Sequence, residues 1–422
     1  MEKQKIVMLR DDWNRKYYWD LRKVAWACCR CSNCKWVDSW EVKSARFARV
    51  CPSIARFGFD AFSCQGRMDV SLALMDGRLT YEESPGLLDI FYRCDTCGGC
   101  DASCKRGSDM EPLRVMLEMR SKLVEGGQLI PEHMMVIDSL KKEDNMMMGR
   151  KADRGKWAEG LDVKDLTREK AEVVFHAGCH VSYDEKQWDL ARKAVILLKN
   201  AGVDVGIMGG DEACCGCRAY DMGYRGELTK FAEHNIQAWT NAGVKTVVTS
   251  CADGYYAMKR LYPEHGSGFE VLHTVEFIDR LIGEGRVKFS KAVPLTVTYH
   301  DPCHMGRRAN VYEPGKAIMG LYDPPRDILR SIPGVELVEM YRIKEYAWCC
   351  GAGGGVKEAY PDFSEWTARE RVEEAKATGA EAIVTACPWC EGNFRDVING
   401  NGERIKVYDV VALIHEAICK EV

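Results

Sequence analysis

The sequence has no continuous apolar segment of about 18 residues, the length that a helix needs to span a bilayer. Its first residues, MEKQKIVMLRDDW, lack the apolar core of a secretion signal. An excess of one charge is also missing, because 59 basic and 63 acidic residues are interspersed and leave a net charge of -4. We therefore expect neither an integral membrane protein nor a nucleic-acid-binding protein, and we predict a cytoplasmic location.

Cysteine, in contrast, is abundant, with 21 residues in a chain of 422. An odd number of thiols without a secretion signal argues against a disulfide scaffold. Many neighbouring thiols are best preserved in a reducing, low-oxygen cell, because metal ligation and oxidative damage use the same sulfurs. We therefore predict an anaerobic host, and the chain length predicts two or three domains.

The first third of the chain contains two cysteine groups with the spacing of a bacterial ferredoxin that holds two 4Fe-4S clusters. In such proteins the fourth cysteine of each group crosses to the other cluster. The predicted ligands of the first cubane cluster are Cys28, Cys31, Cys34 and Cys104. Those of the second are Cys94, Cys97, Cys100 and Cys51.

Two features depart from the ferredoxin pattern. Sixteen residues separate Cys34 from Cys51, and Lys105 stands where proline normally follows the last cysteine. Cys29 could replace Cys28 as a ligand.

A zinc ribbon is the alternative to the ferredoxin-like sites. However, three cysteines at successive two-residue gaps, present twice, exceed the four ligands of a zinc site. We interpret Cys29, Cys64 and Cys419 as small buried hydrophobes rather than ligands.

Helical periodicity follows these groups. Residues 111–127 predict a helix with Leu113, Met116, Leu117 and Leu123 in the core, and residues 131–148 predict a second helix with a polar break. We expect a mostly helical domain over 1–125 and a helical connector over 126–170.

After residue 170 the sequence contains one strand–helix pattern twice. Segments 171–179, 203–208, 246–251 and 271–282 match 295–303, 335–340, 382–387 and 407–418, in that order. Short apolar strands that alternate with helices predict parallel sheets with right-handed crossovers. The predicted fold is therefore α+β and α/β: a helical ferredoxin-like domain, followed by two tandem α/β domains over 171–290 and 291–422, related by pseudo-two-fold duplication.

Each copy contains the same cysteine arrangement, which predicts a metal cluster in each. The first has Cys179, Cys214, Cys215 and Cys251, and the second has Cys303, Cys349, Cys350, Cys387 and Cys390. Cysteines that follow parallel strands should meet at the carboxyl edge of the sheet. Gly216 and Gly351, after each cysteine pair, predict a close approach of the backbone to the cofactor. A dinucleotide-phosphate loop at GAGGG is an alternative with little support, because the G-x-G-x-x-G fingerprint is missing.

The two copies differ at one position. Five thiolates in the second copy exceed the needs of a cubane and predict a larger or opened cluster. Gly254 occupies the fifth position in the first copy, so that copy could hold a four-thiolate cluster, a cluster completed by Cys217, a zinc ion, or nothing. His304 or His300 could donate protons; the alternative, which also applies to His176 and His180, is that these histidines orient loops.

The motifs HDPCHMGR, WCCGAGGG and TACPWC resemble those of the CCG-domain iron–sulfur proteins, above all the B-type and D-type components of heterodisulfide reductase. The resemblance covers nearly the whole chain. It implies a noncubane 4Fe-4S cluster on Cys303, Cys349, Cys350, Cys387 and Cys390, the centre that reduces a disulfide in the parent enzymes. It also implies a partner flavoprotein similar to the A-type component of those enzymes, or other iron–sulfur proteins.

Two hypotheses about function follow. In the first, the protein is one component of an oxidoreductase: the ferredoxin-like clusters accept electrons from a flavoprotein or ferredoxin and pass them to the CCG centre, which acts on a substrate. In the second, the protein is a relay without a substrate of its own, or an iron–sulfur component of the glycolate-oxidase type. The resemblance indicates the cofactor better than the substrate.

Overall fold

The computed structural model describes residues 21–107, 110–309 and 320–418. The predicted absence of a secretion signal at the N-terminus and the interpretation of Cys419 concern residues outside these ranges.

Short helices surround the cysteine loops at the N-terminal end of the described chain. Helices α1 to α5 comprise Leu21–Trp26, Pro52–Phe57, Cys64–Met75, Leu87–Tyr92 and Gly99–Gly107. Among the described residues before 164, extended pairing is limited to one antiparallel bridge between Trp36 and Arg49. The predicted helical character is present, and the ferredoxin-like assignment stays a prediction.

Two longer helices follow, α6 (Leu113–Glu125) and α7 (Pro131–Glu143). The four predicted core residues of α6 are at most 5% exposed. Helix α7 ends at Glu143, before the predicted end at 148, because Asp144 adopts a left-handed conformation with φ of 52°. The Asn145 side chain then accepts a hydrogen bond from the Met147 amide at 3.0 Å and holds the turn.

The first sheet has five parallel strands in the order β1-β3-β2-β4-β5. These are Lys164–Asp165, Val173–His176, Val205–Ile207, Thr246–Thr249 and Glu270–His273 for β1 to β5. Strand β1 lies in the predicted connector, and its two residues are too few to give a periodic signal. Helices α8 to α13 are Cys179–Tyr183, Glu185–Asn200, Cys217–Asp221, Arg225–Asn241, Ala252–Tyr256 and Thr274–Gly283.

The second sheet has four parallel strands in the order β7-β6-β8-β9. These are Leu295–Tyr299, Val335–Leu337, Ala382–Thr385 and Lys406–Asp409 for β6 to β9. Helices α14 to α18 are Asp323–Ser331, Val356–Ala359, Pro361–Lys376, Pro388–Gly400 and Val410–Ile418. Strands β2 to β5 correspond in order to β6 to β9, so the prediction of two units with parallel sheets is confirmed.

Two π-helical turns interrupt the regular pattern, one at Ala257–Leu261 after α12 and one at His304–Arg308 after Cys303. Such turns are rare and frequently lie at functional sites. One continuous cluster of buried apolar side chains extends from α7 through both sheets. Within the described ranges, every helix is too short or too polar to cross a bilayer.

Candidate functional site

The N-terminal cysteines line two small neighbouring cavities. The first cavity is lined by the side chains of Cys28, Cys29, Cys31, Cys34, Cys64 and Cys104. The second is lined by Cys51, Cys64, Cys94, Cys97 and Cys100. Each cavity thus contains the four thiols that the spacing assigns to one centre, including the two that cross between groups. Four thiols around one cavity are a donor set that fits a 4Fe-4S cluster, and the individual ligands stay predictions.

Backbone conformation turns these loops inward. Arg30 and Ser32 adopt positive φ angles of 57° and 66°, and Thr96 adopts 50°. Residues other than glycine rarely adopt positive φ angles, and those that do are concentrated at binding sites, where the surrounding structure compensates for the backbone strain. They let three cysteines at two-residue gaps point at a common centre.

The interpretation of Cys29 as a buried hydrophobe is wrong, because its side chain is exposed. Cys64 is buried as predicted, but its position between the two cysteine groups was not predicted. It is 5% exposed and lines both cavities. Its thiol is hydrogen-bonded to the side chains of Cys34 and Cys100, and these contacts, together with burial, raise the pKa of Cys64 well above its usual value. Because no spacing rule includes position 64, a lone thiol between two groups carried no signal in the sequence.

The five cysteines of the second α/β domain form one buried chain of contacts. Each thiol shifts the pKa of the next one, in the order Cys303, Cys349, Cys350, Cys390 and Cys387. The sulfurs of Cys350 and Cys390 are 3.2 Å apart. Cys387 caps the N-terminus of α17, and Cys390 lies in its first turn, where the helix dipole favours thiolates.

The glycines after each cysteine pair have the same geometry in both copies. The amides of Gly216 and Gly351 donate to the sulfurs of Cys214 and Cys349, both at 3.4 Å. Both glycines have positive φ angles, 76° and 86°. A Cβ at either position would meet the backbone of the next long helix, at 2.9 Å from Leu228 Cα or 2.5 Å from Ser364 O. The glycines are therefore needed for packing of the loop, and their amides reach the sulfur.

In the first α/β domain, Cys179 is hydrogen-bonded to Cys214, and Cys214 to Cys215. Cys251 instead contacts Cys387 of the second copy. A buried guanidinium also enters this site, because Arg154 Nη1 lies 3.6 Å from Cys179 Sγ.

Glu212 fixes the Arg154 guanidinium, with its Oε1 2.8 Å from Arg154 Nη2. It also accepts the amides of Ala177 and Gly178, each at 2.9 Å. A Cβ at Gly254 would meet Met258 Cε at 3.0 Å and Thr249 Oγ1 at 3.3 Å, so neighbouring side chains fill the space that the fifth cysteine of the second copy occupies. The first copy therefore brings Cys179, Cys214 and Cys215 together beside a fixed cation, whereas its Cys251 lies against the second copy.

Cys217 lies with Asp221 and His304 in a buried group between the two copies. His304 Nδ1 is 3.2 Å from Cys303 Sγ, and its Nε2 is 3.1 Å from Asp221 Oδ2. Arg308 donates to the same carboxylate oxygen at 2.5 Å. A guanidinium at that position disfavours a metal ion on this group. Burial and Arg308 lower the pKa of His304, but Asp253, Cys303 and Asp221 raise it more, so the pKa of this imidazole lies above its usual value.

The remaining histidines have orienting positions. His300 lies against Arg371, which donates to its Nδ1 at 3.1 Å, and near Cys350 and Cys390. The ring of His180 stacks on Trp389 at 4.2 Å between centroids. Burial lowers the pKa of His176, so that ring is neutral.

The cysteine sites follow one another through direct contacts. Cys64 joins the two N-terminal cavities. The thiol of Cys97 is hydrogen-bonded to Cys349, which links the second cavity to the second copy. The Cys387–Cys251 contact links the second copy to the first.

The loop 353–355 makes this proximity possible. Cβ atoms at Gly353 and Gly354 would lie 2.6 Å and 2.7 Å from the carbonyl oxygens of Asp95 and Cys94. The glycine run therefore packs against the N-terminal cysteine loop. This contact explains the glycines without a dinucleotide-phosphate loop.

Comparison with known proteins gives the same division of the chain. Residues 173–259 and 297–395 each match the family model described as a cysteine-rich domain, CCG. The D-type component of dihydromethanophenazine:CoB–CoM heterodisulfide reductase from Methanosarcina acetivorans is 34% identical over 337 residues, 78% of both chains. Its counterpart in Methanosarcina barkeri is 31% identical over 405 residues, 93% of both chains. EtfAB:quinone oxidoreductase of Syntrophomonas wolfei is 30% identical over 346 residues, 78% of this chain and 47% of that protein.

Proposed function

The chain belongs to the CCG iron–sulfur protein family that includes the D-type component of heterodisulfide reductase, and from this premise we propose that it is an electron-transferring component of an oxidoreductase. In this proposal the N-terminal cavities hold two 4Fe-4S clusters that accept electrons from a partner protein. The second CCG domain holds a noncubane 4Fe-4S centre where a substrate is reduced or oxidised. The clusters supply one-electron chemistry when bound; the protein supplies their position and environment.

The succession of thiol contacts is the observation that carries this proposal. Cys64 lies between the two N-terminal cavities, and Cys97 contacts Cys349 of the second CCG domain. A protein that only stored metal would not need its sites in contact across domain boundaries. Sites this close together allow electrons to pass from one centre to the next.

His304 favours chemistry at the second CCG site. Its Nδ1 lies 3.2 Å from Cys303 Sγ, and Asp221 accepts a hydrogen bond from the opposite ring nitrogen at 3.1 Å. This pair would hold a proton at Nδ1, beside one of the proposed ligands. A buried, charged imidazole at that position supports reduction coupled to protonation.

The N-terminal surface supports a protein partner with an acidic docking face. Trp26, Trp40 and Phe59 are 66%, 87% and 67% exposed. Cys29 and Cys31, which line the first cavity, are exposed as well. Residues 21–60 contain eight basic and three acidic side chains. Aromatic residues and arginines are enriched at protein interfaces, and a basic surface steers an acidic partner. The partner in this proposal is a flavoprotein or another iron–sulfur protein.

A relay without its own substrate is the second candidate, and the first CCG domain favours it. Gly254 removes the fifth thiol there, and Arg154 places a cation beside Cys179 at 3.6 Å. A buried cation beside the thiols suits a site that only passes electrons, rather than one that binds a substrate. In this version electrons leave through a further protein of the complex.

The proposal is tested on protein purified without oxygen. We expect the full chain to contain iron and sulfide, and Cys387→Ser to remove only the signal of the second CCG centre from its electron paramagnetic resonance (EPR) spectrum. Cys419→Ser, outside every predicted ligand set, is the matched control and should keep all signals. If Cys387→Ser removed every signal at once, the partition into separate sites would be wrong.

A second assay separates the two candidates. Dye-reduced protein is mixed with a series of thiol disulfides and, in parallel, with an acidic ferredoxin. Turnover of a disulfide that is lost in His304→Gln supports the oxidoreductase. Oxidation by the protein acceptor alone supports the relay.

A further inference from the structure

A cavity of about 490 Å³ lies where the N-terminal domain meets both CCG domains. Six of its lining side chains are cationic, namely Lys105, Arg114, Arg225, Arg260, Arg307 and Arg308. Three are acidic, namely Asp101, Glu111 and Glu264. Both π-helical turns of the described chain contribute to its wall, through Arg260 in one and Arg307 and Arg308 in the other.

Several of these charges are already paired. Lys105 binds Glu111 at 2.8 Å, and Arg308 binds Asp221, outside the lining, at 2.5 Å. Arg225 binds Glu118, also outside the lining, at 2.7 Å.

The positive charge of the cavity is not fully matched. The hydrogen bonds of Arg307 go to carbonyl oxygens, with Cys97 O at 2.8 Å and Glu345 O at 3.0 Å, and none goes to a carboxylate. Arg260 makes no hydrogen bond or ion pair with any residue that the structure describes. The nearest counter-charges of Arg307 are the thiols of Cys97, Cys303 and Cys349, and its Nη2 makes no hydrogen bond among the described residues. Arg260 has no such counter-charge, and a guanidinium that faces a recess unpaired is a binding group for a carboxylate or phosphate.

The walls indicate the rest of the ligand. Arg308 lies over the ring of Tyr256 at 4.1 Å, and Arg225 over that of Tyr220 at 5.1 Å, so two aromatic–cation pairs stiffen the cavity. Leu113, Leu117 and Leu261 add apolar surface. A mixed lining of this kind suits a molecule with one anionic group and an apolar body, since ligand sites combine apolar walls with a few placed polar groups.

We propose that this cavity binds a small organic anion, with Arg260 and Arg307 as the groups that hold its carboxylate or phosphate. Arg307 follows Cys303 by one turn and donates to the carbonyl of Cys97. The bound anion is thus one side chain away from both the second N-terminal site and the second CCG site. Only the spectroscopic part of the test rests on the proposed function.

Binding is measured by calorimetry on the anaerobically purified full chain with three probes: hexanoate, its neutral counterpart hexanol, and inorganic phosphate. We expect hexanoate or phosphate to bind saturably, and hexanol about tenfold weaker than hexanoate or worse. Arg260→Gln should weaken binding of the anion about tenfold or more, and Arg260→Lys should weaken it less. Arg330→Gln is the matched control, because Arg330 is 57% exposed on α14, away from the cavity.

Three results would overturn the inference: no saturable binding of either anion, equal affinity for hexanol and hexanoate, or unchanged affinity in Arg260→Gln. Addition of the anion should also change the EPR spectrum of the reduced protein; binding without any change would mean that the anion lies elsewhere. Iron is counted in every sample. Protein that lacks iron contradicts the proposed function, whereas iron-replete protein that fails to bind anions contradicts this inference alone.

Discussion

Substitution of Gly354 tests how closely the N-terminal cysteine loop is seated on the second CCG domain. Gly354 has φ of +63°, and a Cβ there would lie 2.7 Å from Cys94 O and 3.0 Å from Asp95 C. In Gly354→Ala the left-handed conformation costs about 1–2 kcal/mol. Separation of two packed backbones adds about 1–3 kcal/mol, the usual cost of overpacking.

Gly379→Ala is a matched control, because Gly379 has φ of +79° and nothing within 4 Å of an added Cβ. It should lose only the conformational part, about 1–2 kcal/mol. The difference between the two variants then measures the close approach itself.

The assay is anaerobic denaturation followed by fluorescence, combined with hydrogen exchange of residues 94–97. Gly354→Ala should unfold at lower denaturant concentration than Gly379→Ala and should lose protection in this loop, while Gly379→Ala keeps it. Equal losses of stability in the two variants, with unchanged exchange near Cys94, would refute the reasoning.

Three polar side chains that contact distant segments give the remaining predictions. Arg120 is 0% exposed and donates to five carbonyl oxygens of all three domains. Arg120→Met should therefore lower the free energy of unfolding, measured by denaturation, by more than about 3 kcal/mol. The exposed control Arg330→Met should change it little. Burial lowers the pKa of His133 to about 4, below its value in the unfolded chain. The free energy of unfolding should therefore fall by up to about 3 kcal/mol as pH falls from about 6.5 to 4, and it should stay level above about pH 6.5. His133→Asn should flatten this pH dependence; the same pH dependence in the variant and the wild type would contradict the assignment. Arg307 donates a hydrogen bond to Cys97 O and places a positive charge beside the neighbouring centres. In an EPR-monitored titration, Arg307→Gln should lower the reduction potentials of these centres, whereas Arg307→Lys should largely retain them. Equal shifts of the potentials in the two variants would exclude a role for the charge.

The periodic parts of the fold could be predicted from the sequence. The strands that end near Cys179, Cys251, Cys303 and Cys387 are short apolar runs, and their repetition predicted two parallel sheets. The strand order that the two sheets share was not predicted. The sequence predicted a polar break within 131–148 but not its position: the left-handed Asp144 ends α7 at Glu143, and the Asn145 side chain holds the turn that follows.

Residues that act across domains could not be predicted. Arg154 reaches Cys179, and Cys64 lies between two cysteine groups, but neither belongs to a spaced motif. Their roles depend on how distant segments pack. The same is true of Gly353 and Gly354, which lie against the backbone of Asp95 and Cys94 in the N-terminal domain.

The central claim is that thiols from separate segments meet as distinct cages for iron and sulfide. The most direct measurement is the iron, sulfide and zinc content of the anaerobically purified full chain, read together with its EPR spectra in two oxidation states. The account predicts about twelve iron atoms for the two N-terminal centres and the second CCG centre, with distinct signals for the two types. Colourless protein containing zinc in place of iron would contradict it.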